Sequence, residues 1–119
     1  MLNDVAAATV YLACGATDMR KSIDTLAALV KERFSLDPFS LSLYVFCNRR
    51  KDKLKILKWD HNGFWLYYRR LEKGRFRWPE KTDSSKIAAV DYRQLRWLLD
   101  GLELRQPKAH SVVTARTIV

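Results

Sequence analysis

The hydrophobic residues that follow Thr17 and Asp18 recur at the spacing of one helix face. They lie three or four positions apart, and the charged residues between them fall mostly on the other faces. Thr17 and Asp18 are good N-cap residues, and a residue that precedes proline avoids the helical region. The pattern predicts a first helix that stops at Asp37-Pro38 and whose apolar face consists of Met19, Ile23, Leu26, Val30 and Phe34.

A second amphipathic segment follows Asp91, whose side chain can cap a helix. Gly101 stands near the end of this segment, where glycine is common because it tolerates a left-handed backbone. The segment predicts a second helix, and its apolar face consists of Tyr92, Leu95, Leu98, Leu99 and Leu102.

Between the two helices, runs of strand-forming residues alternate with turn signals. Asn62-Gly63 is the strongest of these signals, because this pair favours a two-residue hairpin turn. One short strand, residues 10–14, is predicted before the first helix and ends at Gly15. Four more are predicted to form an antiparallel meander that Pro79 terminates, at residues 41–48, 54–60, 64–71 and 76–78.

These elements predict a single α+β domain over residues 1–108. It consists of an N-terminal strand and helix, an antiparallel β-meander of about four strands, and a C-terminal helix. The polar segment EKTDSSKIAA after Pro79 is predicted to be a loop. Residues 109–119 show no clear hydrophobic period, and we interpret them as a flexible or partner-docking tail.

Composition restricts the class of protein. Apolar and aromatic residues make up 48% of the 119 residues, which excludes a disordered polar chain. No apolar run approaches the roughly 18 residues of a membrane span, and the N-terminus lacks the basic start of a secretory signal. We therefore expect a soluble, cytoplasmic protein with no membrane contact.

The cysteine, histidine and carboxylate side chains form no recognisable catalytic or metal-binding pattern in the sequence. Cys14 and Cys47 lie in apolar surroundings and are interpreted as buried thiols, and with His61 and His110 they are too scattered for paired zinc ligands. No pair of acidic residues has the spacing expected of a site for divalent metal ions. We expect no metal, no cofactor and no enzymatic activity.

The positive charge is concentrated in two segments. The chain has 22 Lys and Arg against 13 Asp and Glu, a formal net charge of +9, which favours anionic partners. Residues 49–53 contribute a net +3 and residues 69–77 a net +4, and a meander brings both to the same end of its sheet. Such a surface suits the phosphates of DNA, or it is a solvated or protein-binding face. The candidate nucleic-acid-binding residues are Arg49, Arg50, Lys51, Lys53, Arg69, Arg70, Lys73, Arg75 and Arg77.

Aromatic residues concentrate in the last two predicted strands of the meander. Trp65, Tyr67, Tyr68, Phe76 and Trp78 either belong to the core, which is the commoner place for them, or stack on bases if they are exposed. An exposed aromatic patch would also provide the apolar centre of a protein interface. The candidate partner-binding residues are Trp65, Tyr67 and Trp78.

Several phrases of the sequence stand in an order that resembles one protein family. They are TDMRK (17–21), NRR (48–50), GFWL (63–66), RLEKGRF (70–76) and WP (78–79). Together they resemble the TnpB-type accessory protein that the second open reading frame of the sixty-six-type bacterial insertion sequences encodes. The resemblance covers about residues 8 to 108, and the ordered combination is specific although each phrase alone is weak.

The resemblance implies a small accessory protein for DNA transposition of a mobile genetic element. It also implies a separate, larger transposase that carries the acidic catalytic residues. Two interpretations of this chain's own task stay open. In one, it binds DNA through the basic loops near the ends of the element. In the other, it is an adaptor that docks the transposase or another accessory protein without contacting DNA.

Overall fold

A computed structural model of the protein describes residues 9–106, which form one five-stranded sheet with a helix on each face. In chain order the elements are β1 (Val10–Ala13), α1 (Ile23–Glu32), β2 (Leu43–Cys47), β3 (Lys53–Asp60), β4 (Gly63–Arg70), β5 (Ile87–Val90) and α2 (Tyr92–Leu99). The predicted small α+β domain with two helices is confirmed. The predicted tail at residues 109–119 lies outside the described residues.

The sheet combines a local meander with two strands that are distant in sequence. Its strand order is β4-β3-β2-β1-β5. β2, β3 and β4 pair antiparallel, as predicted, whereas β1 pairs parallel to β2 and β5 pairs antiparallel to β1. The parallel pair requires a crossover, which α1 provides. β5 lies at the end of the segment predicted to be a loop, and its four residues are too few to show a clear period.

Residues 76–78 do not form the predicted fourth strand of the meander. Phe76 and Trp78 are buried and Arg77 between them is exposed, so the alternation of side chains that suggested a strand is present. The segment instead crosses the end of the sheet, and the indole N–H of Trp78 donates to the backbone oxygens of Ala13 (2.9 Å) and Gly15 (3.1 Å). Here the alternation reflects burial of one side of the segment and not strand pairing.

The β3–β4 hairpin has a two-residue turn, but the turn lies one residue earlier than the Asn62-Gly63 signal predicts. Asp60 pairs with Gly63, which leaves His61 and Asn62 in the turn. His61 takes the left-handed backbone conformation, with a φ of 57°. The buried pairs further along the strands fix this register, since a slip of one residue would turn every apolar side chain to the other face.

The two helices begin in different ways. α2 starts after the predicted cap Asp91, whose carboxylate accepts the N–H of Gln94 (2.8 Å) while the Gln94 side chain accepts the N–H of Asp91 (3.0 Å). α1 starts only at Ile23. The predicted cap role of Asp18 is wrong, because its carboxylate bonds to Arg20 instead. Neither helix of the described chain is long and apolar enough to cross a membrane.

Two apolar clusters hold the helices against the sheet. On one face, α2 and the buried rings of residues 76–78 pack on β1, β2 and β3. On the other face, Leu26 and Val30 of α1 pack on β1, β2 and β3. Cys14 and Cys47 are both buried free thiols, as predicted, and burial raises the pKa of the Cys47 thiol to about 12.

Candidate nucleic-acid interface

The two basic segments predicted from the sequence meet at one end of the sheet. β2 and β4 end there and β3 begins there, so residues 48–52 and the chain after β4 lie side by side. Two backbone hydrogen bonds join them: the N–H of Leu71 donates to the oxygen of Asp52 (2.7 Å), and the N–H of Phe76 donates to the oxygen of Lys51 (2.6 Å). The predicted convergence is confirmed. We name the surface formed by residues 17–21, 48–53 and 69–86 the basic end.

The chain between β4 and β5 crosses the whole basic end and ties it to β1. The oxygen of Pro79 accepts the N–H of Gly15, and the oxygen of Lys86 accepts the N–H of Cys14, both at 3.0 Å. Gly15 has a φ of 77°, and a Cβ at this position would lie 3.0 Å from the Cβ of Lys81. Glycine is therefore required for this close approach, which places Lys81 and Lys86 beside the end of β1.

Asn48 fixes the shape of the loop between β2 and β3. Its Oδ1 accepts the N–H groups of Asp52 and Lys53, both at 3.0 Å, and its Nδ2 donates to the Asp52 carboxylate at 2.7 Å. The hydrogen bond from Asn48 is the main cause that lowers the pKa of Asp52. The NRR phrase thus has a structural basis, because asparagine shapes the loop and the two arginines that follow are exposed.

Most of the nine predicted cations are exposed and have no carboxylate partner. Lys51 forms an ion pair with Glu80, and Arg70 forms one with Glu72 at 2.9 Å. Within residues 9–106 the other seven form no ion pair, and all except the half-buried Lys53 are exposed. These seven are Arg49, Arg50, Lys53, Arg69, Lys73, Arg75 and Arg77.

The basic end extends around the edge of the sheet onto both faces. Lys53 pairs with Arg70 and Leu54 pairs with Arg69 across β3 and β4. Because Leu54 packs in the cluster beneath α2, Arg69 lies on that face, and Lys53 and Arg70 lie on the α1 face. Cations therefore lie on both sides of β4.

The opposite end of the sheet carries charges of both signs. Asp60 ends β3 there, and Asp91 follows β5 there. α1 also ends there, so the exposed Lys31 and Arg33 lie at this end too and offset its carboxylates. The excess of positive charge is therefore at the basic end.

A third segment, residues 17–21, belongs to the basic end although its pattern predicted a helix. The N–H of Thr17 donates to the oxygen of Cys47 (2.7 Å), which holds the segment at the end of β2. Arg20 is exposed there, and its guanidinium binds both oxygens of the Asp18 carboxylate at 2.7 to 3.1 Å. This bonding lowers the pKa of Asp18 to about 2. The TDMRK phrase contained a signal against a helix here. An aspartate side chain that accepts the backbone N–H two residues later, as Asp18 does from Arg20, competes with helix formation.

The predicted partner-binding aromatics differ in exposure. Trp65 is 45% exposed, and its ring stacks on that of Tyr67 with the centroids 6.2 Å apart. Tyr67 is half-buried, and burial raises the pKa of its hydroxyl. Trp78 is only 5% exposed, so little of its ring is available to a partner. Its ring lies in the core beneath the basic end, where its N–H bonds to β1 and Gly15.

Residues 9–106 contain no group of three or more His, Cys, Asp or Glu side chains placed to hold a metal ion. Both cysteines are buried, and His61 lies in the exposed turn between β3 and β4. His110 lies outside the described residues.

Comparison with known proteins agrees with the ordered phrases of the sequence. A family model described as IS66 Orf2 like protein matches residues 8–109. The chain belongs to this family. The match includes all three segments of the basic end of this IS66 Orf2-like protein, and the family membership supports an accessory role in transposition.

Two curated relatives come from Sinorhizobium fredii. Uncharacterized protein y4hO is 37% identical over 99 residues, which cover 83% of this chain and 84% of the relative. Uncharacterized protein y4jC is 29% identical over 103 residues, which cover 87% of this chain and 86% of the relative. No solved structure matches the IS66 Orf2-like chain significantly.

Proposed function

We propose that this IS66 Orf2-like protein is a non-catalytic accessory factor for transposition that binds DNA through the basic end. The observation that carries the proposal is the convergence of segments distant in sequence, joined by backbone hydrogen bonds, that bear exposed cations. The family resemblance assigns the acidic catalytic residues to a separate transposase. The proposal therefore gives this chain a role in binding and not in strand transfer.

Phosphate contact is the chemistry that best fits this surface. Lys and Arg side chains that neutralise phosphates release condensed counterions, which makes the affinity strong at low salt and weak at high salt. Such contacts position a protein on DNA but do not read its sequence. The backbone of the basic end is already fixed by Asn48 and by the bonds of Leu71 and Phe76, so little ordering is needed on binding.

The proposal is tested by fluorescence anisotropy with labelled duplexes, one from an end of the insertion sequence and one of random sequence. If about five phosphates are neutralised, the logarithm of the association constant should fall against the logarithm of salt with a slope of roughly −4 to −5. Absence of binding to either duplex at about 50 mM salt would contradict the proposal.

Two pairs of charge-removing variants test whether the basic end is the surface that binds DNA. Replacing both Arg49 and Arg50 with Gln should weaken binding and flatten the salt slope by about 0.9 for each phosphate that is no longer neutralised. A control pair, Lys31→Gln with Arg33→Gln, removes two exposed cations at the C-terminal end of α1 and should leave the slope unchanged. An equal loss in the control would show that net charge, and not the basic end, determines binding.

The edge of the sheet supports a second candidate function, an adaptor that docks the transposase. β4 is an eight-residue strand at one edge of the described sheet, and Trp65 on it is 45% exposed. Edge strands offer unpaired N–H and C=O groups to a partner's strand, and an exposed tryptophan suits an interface centre. Co-purification with the transposase in high salt after nuclease treatment, lost in Trp65→Ala, would support it. If the transposase co-purifies only without nuclease treatment, DNA bridges the two proteins and they do not dock directly.

A further inference from the structure

A groove of about 560 Å³ opens on the α1 face of the basic end. It lies between residues 18–20 on one side and the start of β3 and end of β4 on the other. Its lining combines charged and aromatic groups from three segments that are distant in sequence. The residues that line it are Asp18, Met19, Arg20, Lys53, Lys55 and Tyr68.

Lys55 joins the two walls of the groove. Its ammonium donates to the backbone oxygens of Met19 (2.6 Å) and Lys21 (2.8 Å), which holds residues 19–21 against β3. The same ammonium lies 6.0 Å from the centre of the Tyr68 ring. The groove is therefore fixed by hydrogen bonds between segments that are distant in sequence.

Tyr68 adjoins the basic end, and its exposed ring can stack on a ligand. Its side chain is 55% exposed, whereas Phe76 and Trp78 are buried. Trp65 and Tyr67 stack on each other and lie on the α2 face of β4. Among the described residues, no other aromatic ring contacts that of Tyr68.

Cations flank the Tyr68 ring on the same face of the sheet. Tyr68 pairs with Lys55, and the next pair on this face is Arg70 with Lys53. Asp18 also lines the groove, but the Arg20 guanidinium binds both of its carboxylate oxygens and offsets its charge. The groove thus presents a flat apolar ring about 7 Å from two side chains suited to phosphate, the distance of two residues along a strand.

We propose that this groove binds an unpaired nucleotide of DNA, with its base stacked on Tyr68 and its phosphate held by Lys53 and Arg70. This inference rests on the proposed function and specifies its substrate class. In a duplex the faces of the bases are covered by their neighbours, so a tyrosine on the protein surface reaches a base only in a single strand, an overhang or a frayed end. Stacking of bases on aromatic side chains is the usual basis of single-strand binding.

The test compares a duplex, the same duplex with a short single-stranded overhang, and a single-stranded oligonucleotide. The variant Tyr68→Leu should weaken binding to the overhang and the single strand by roughly 5- to 150-fold, because stacking contributes about 1–3 kcal/mol per base. Duplex affinity should stay within about twofold of the unsubstituted protein, because phosphate contacts do not involve the ring. Tyr68→Phe keeps the ring and should restore single-strand binding.

Trp65→Leu is the matched control, because it removes an exposed aromatic from the other face of β4. Photocrosslinking of a bromouracil-substituted single strand provides a second measurement, and the adduct is expected on Tyr68. Three results would overturn this inference while the DNA-binding function stands. Tyr68→Leu could lose as much affinity for the duplex as for the single strand, or Trp65→Leu could lose as much single-strand affinity as Tyr68→Leu. The third is a crosslink to residues other than Tyr68. Failure of the unsubstituted protein to bind any of the three DNAs would overturn the proposed function as well.

Discussion

Lys53 and Arg70 lie directly opposite each other across the β3–β4 pair. Two like charges in this position destabilise a sheet, because their Cβ atoms are only about 5 Å apart. Arg70 reduces the repulsion by its ion pair with Glu72, and a bound phosphate would reduce it further. The proposed DNA binding would therefore be linked to stability at this pair of residues.

Replacing Lys53 with Gln should make the fold more stable and its DNA binding weaker. The free energy of unfolding in low salt is expected to rise by about 0.2–0.5 kcal/mol, because the repulsion with Arg70 is removed. Urea denaturation measures the change, and Lys73→Gln is the control because Lys73 is an exposed turn residue. A less stable Lys53→Gln protein would mean that the packing of the lysine stem outweighs the repulsion of its charge.

Replacing Trp78 with Phe should destabilise the protein substantially. The indole N–H would no longer donate to the oxygens of Ala13 and Gly15, and the smaller ring would leave space in the core. A loss of about 2 kcal/mol or more in the free energy of unfolding is expected. Trp65→Phe also removes an indole hydrogen bond, to Asp60 (3.0 Å), but this ring is exposed, so the loss should stay within about 0.5 kcal/mol. Comparable losses in both variants would contradict the anchoring role of Trp78.

Replacing Asp91 with Ala should remove the capping box of α2. The variant loses the bond from the Gln94 N–H to the Asp91 carboxylate, whereas the backbone N–H of residue 91 can still donate to the Gln94 side chain. Loss of an N-cap side chain costs about 1 kcal/mol. Thermal unfolding followed by circular dichroism measures the cost. Asp91→Asn retains a capping acceptor and should recover most of the stability, so equal losses in the two variants would argue against capping.

The raised pKa of the Cys47 thiol predicts that the protein loses stability at alkaline pH. Its pKa is about 12 in the folded protein, above the ordinary thiol value of 9.0. The stability contribution is thus fully present below about pH 9 and is lost as the pH rises towards 12, because only the unfolded chain releases the proton. Comparing the pH dependence of unfolding with that of Cys47→Ala isolates this effect. Identical slopes above about pH 9 would show that the folded thiol ionises normally.

Local signals in the sequence were sufficient for the parts of the fold built by neighbouring residues. The β3–β4 hairpin follows from strand-forming runs on either side of a turn signal, and Asp91 precedes α2 as a cap should. Convergence of the basic loops followed from the meander alone, because two successive antiparallel connections return the chain to the same end. Nine cations of the basic end could therefore be named in advance.

Pairing between distant segments was not visible in the sequence. β5 has only four residues, and its partner is β1 at the other end of the described chain. Phe76 and Trp78 alternate with an arginine as in a strand, but their segment crosses the sheet end. Residues 17–21 have helical spacing, yet Asp18 bonds to Arg20 and Lys55 holds the backbone of this segment. In each case a tertiary contact overrode the local pattern.

Val10 and Val90 pair although almost the whole sheet lies between them in the sequence, and this late pairing has a consequence for how the protein is made. A ribosome completes the meander well before it reaches β5, so the outer edge of β1 stays open until nearly the whole described domain has been translated. A stop codon or frameshift before residue 87 would leave that edge exposed permanently, and open edges promote aggregation. Partial copies of the gene would thus yield insoluble fragments in place of a smaller working protein.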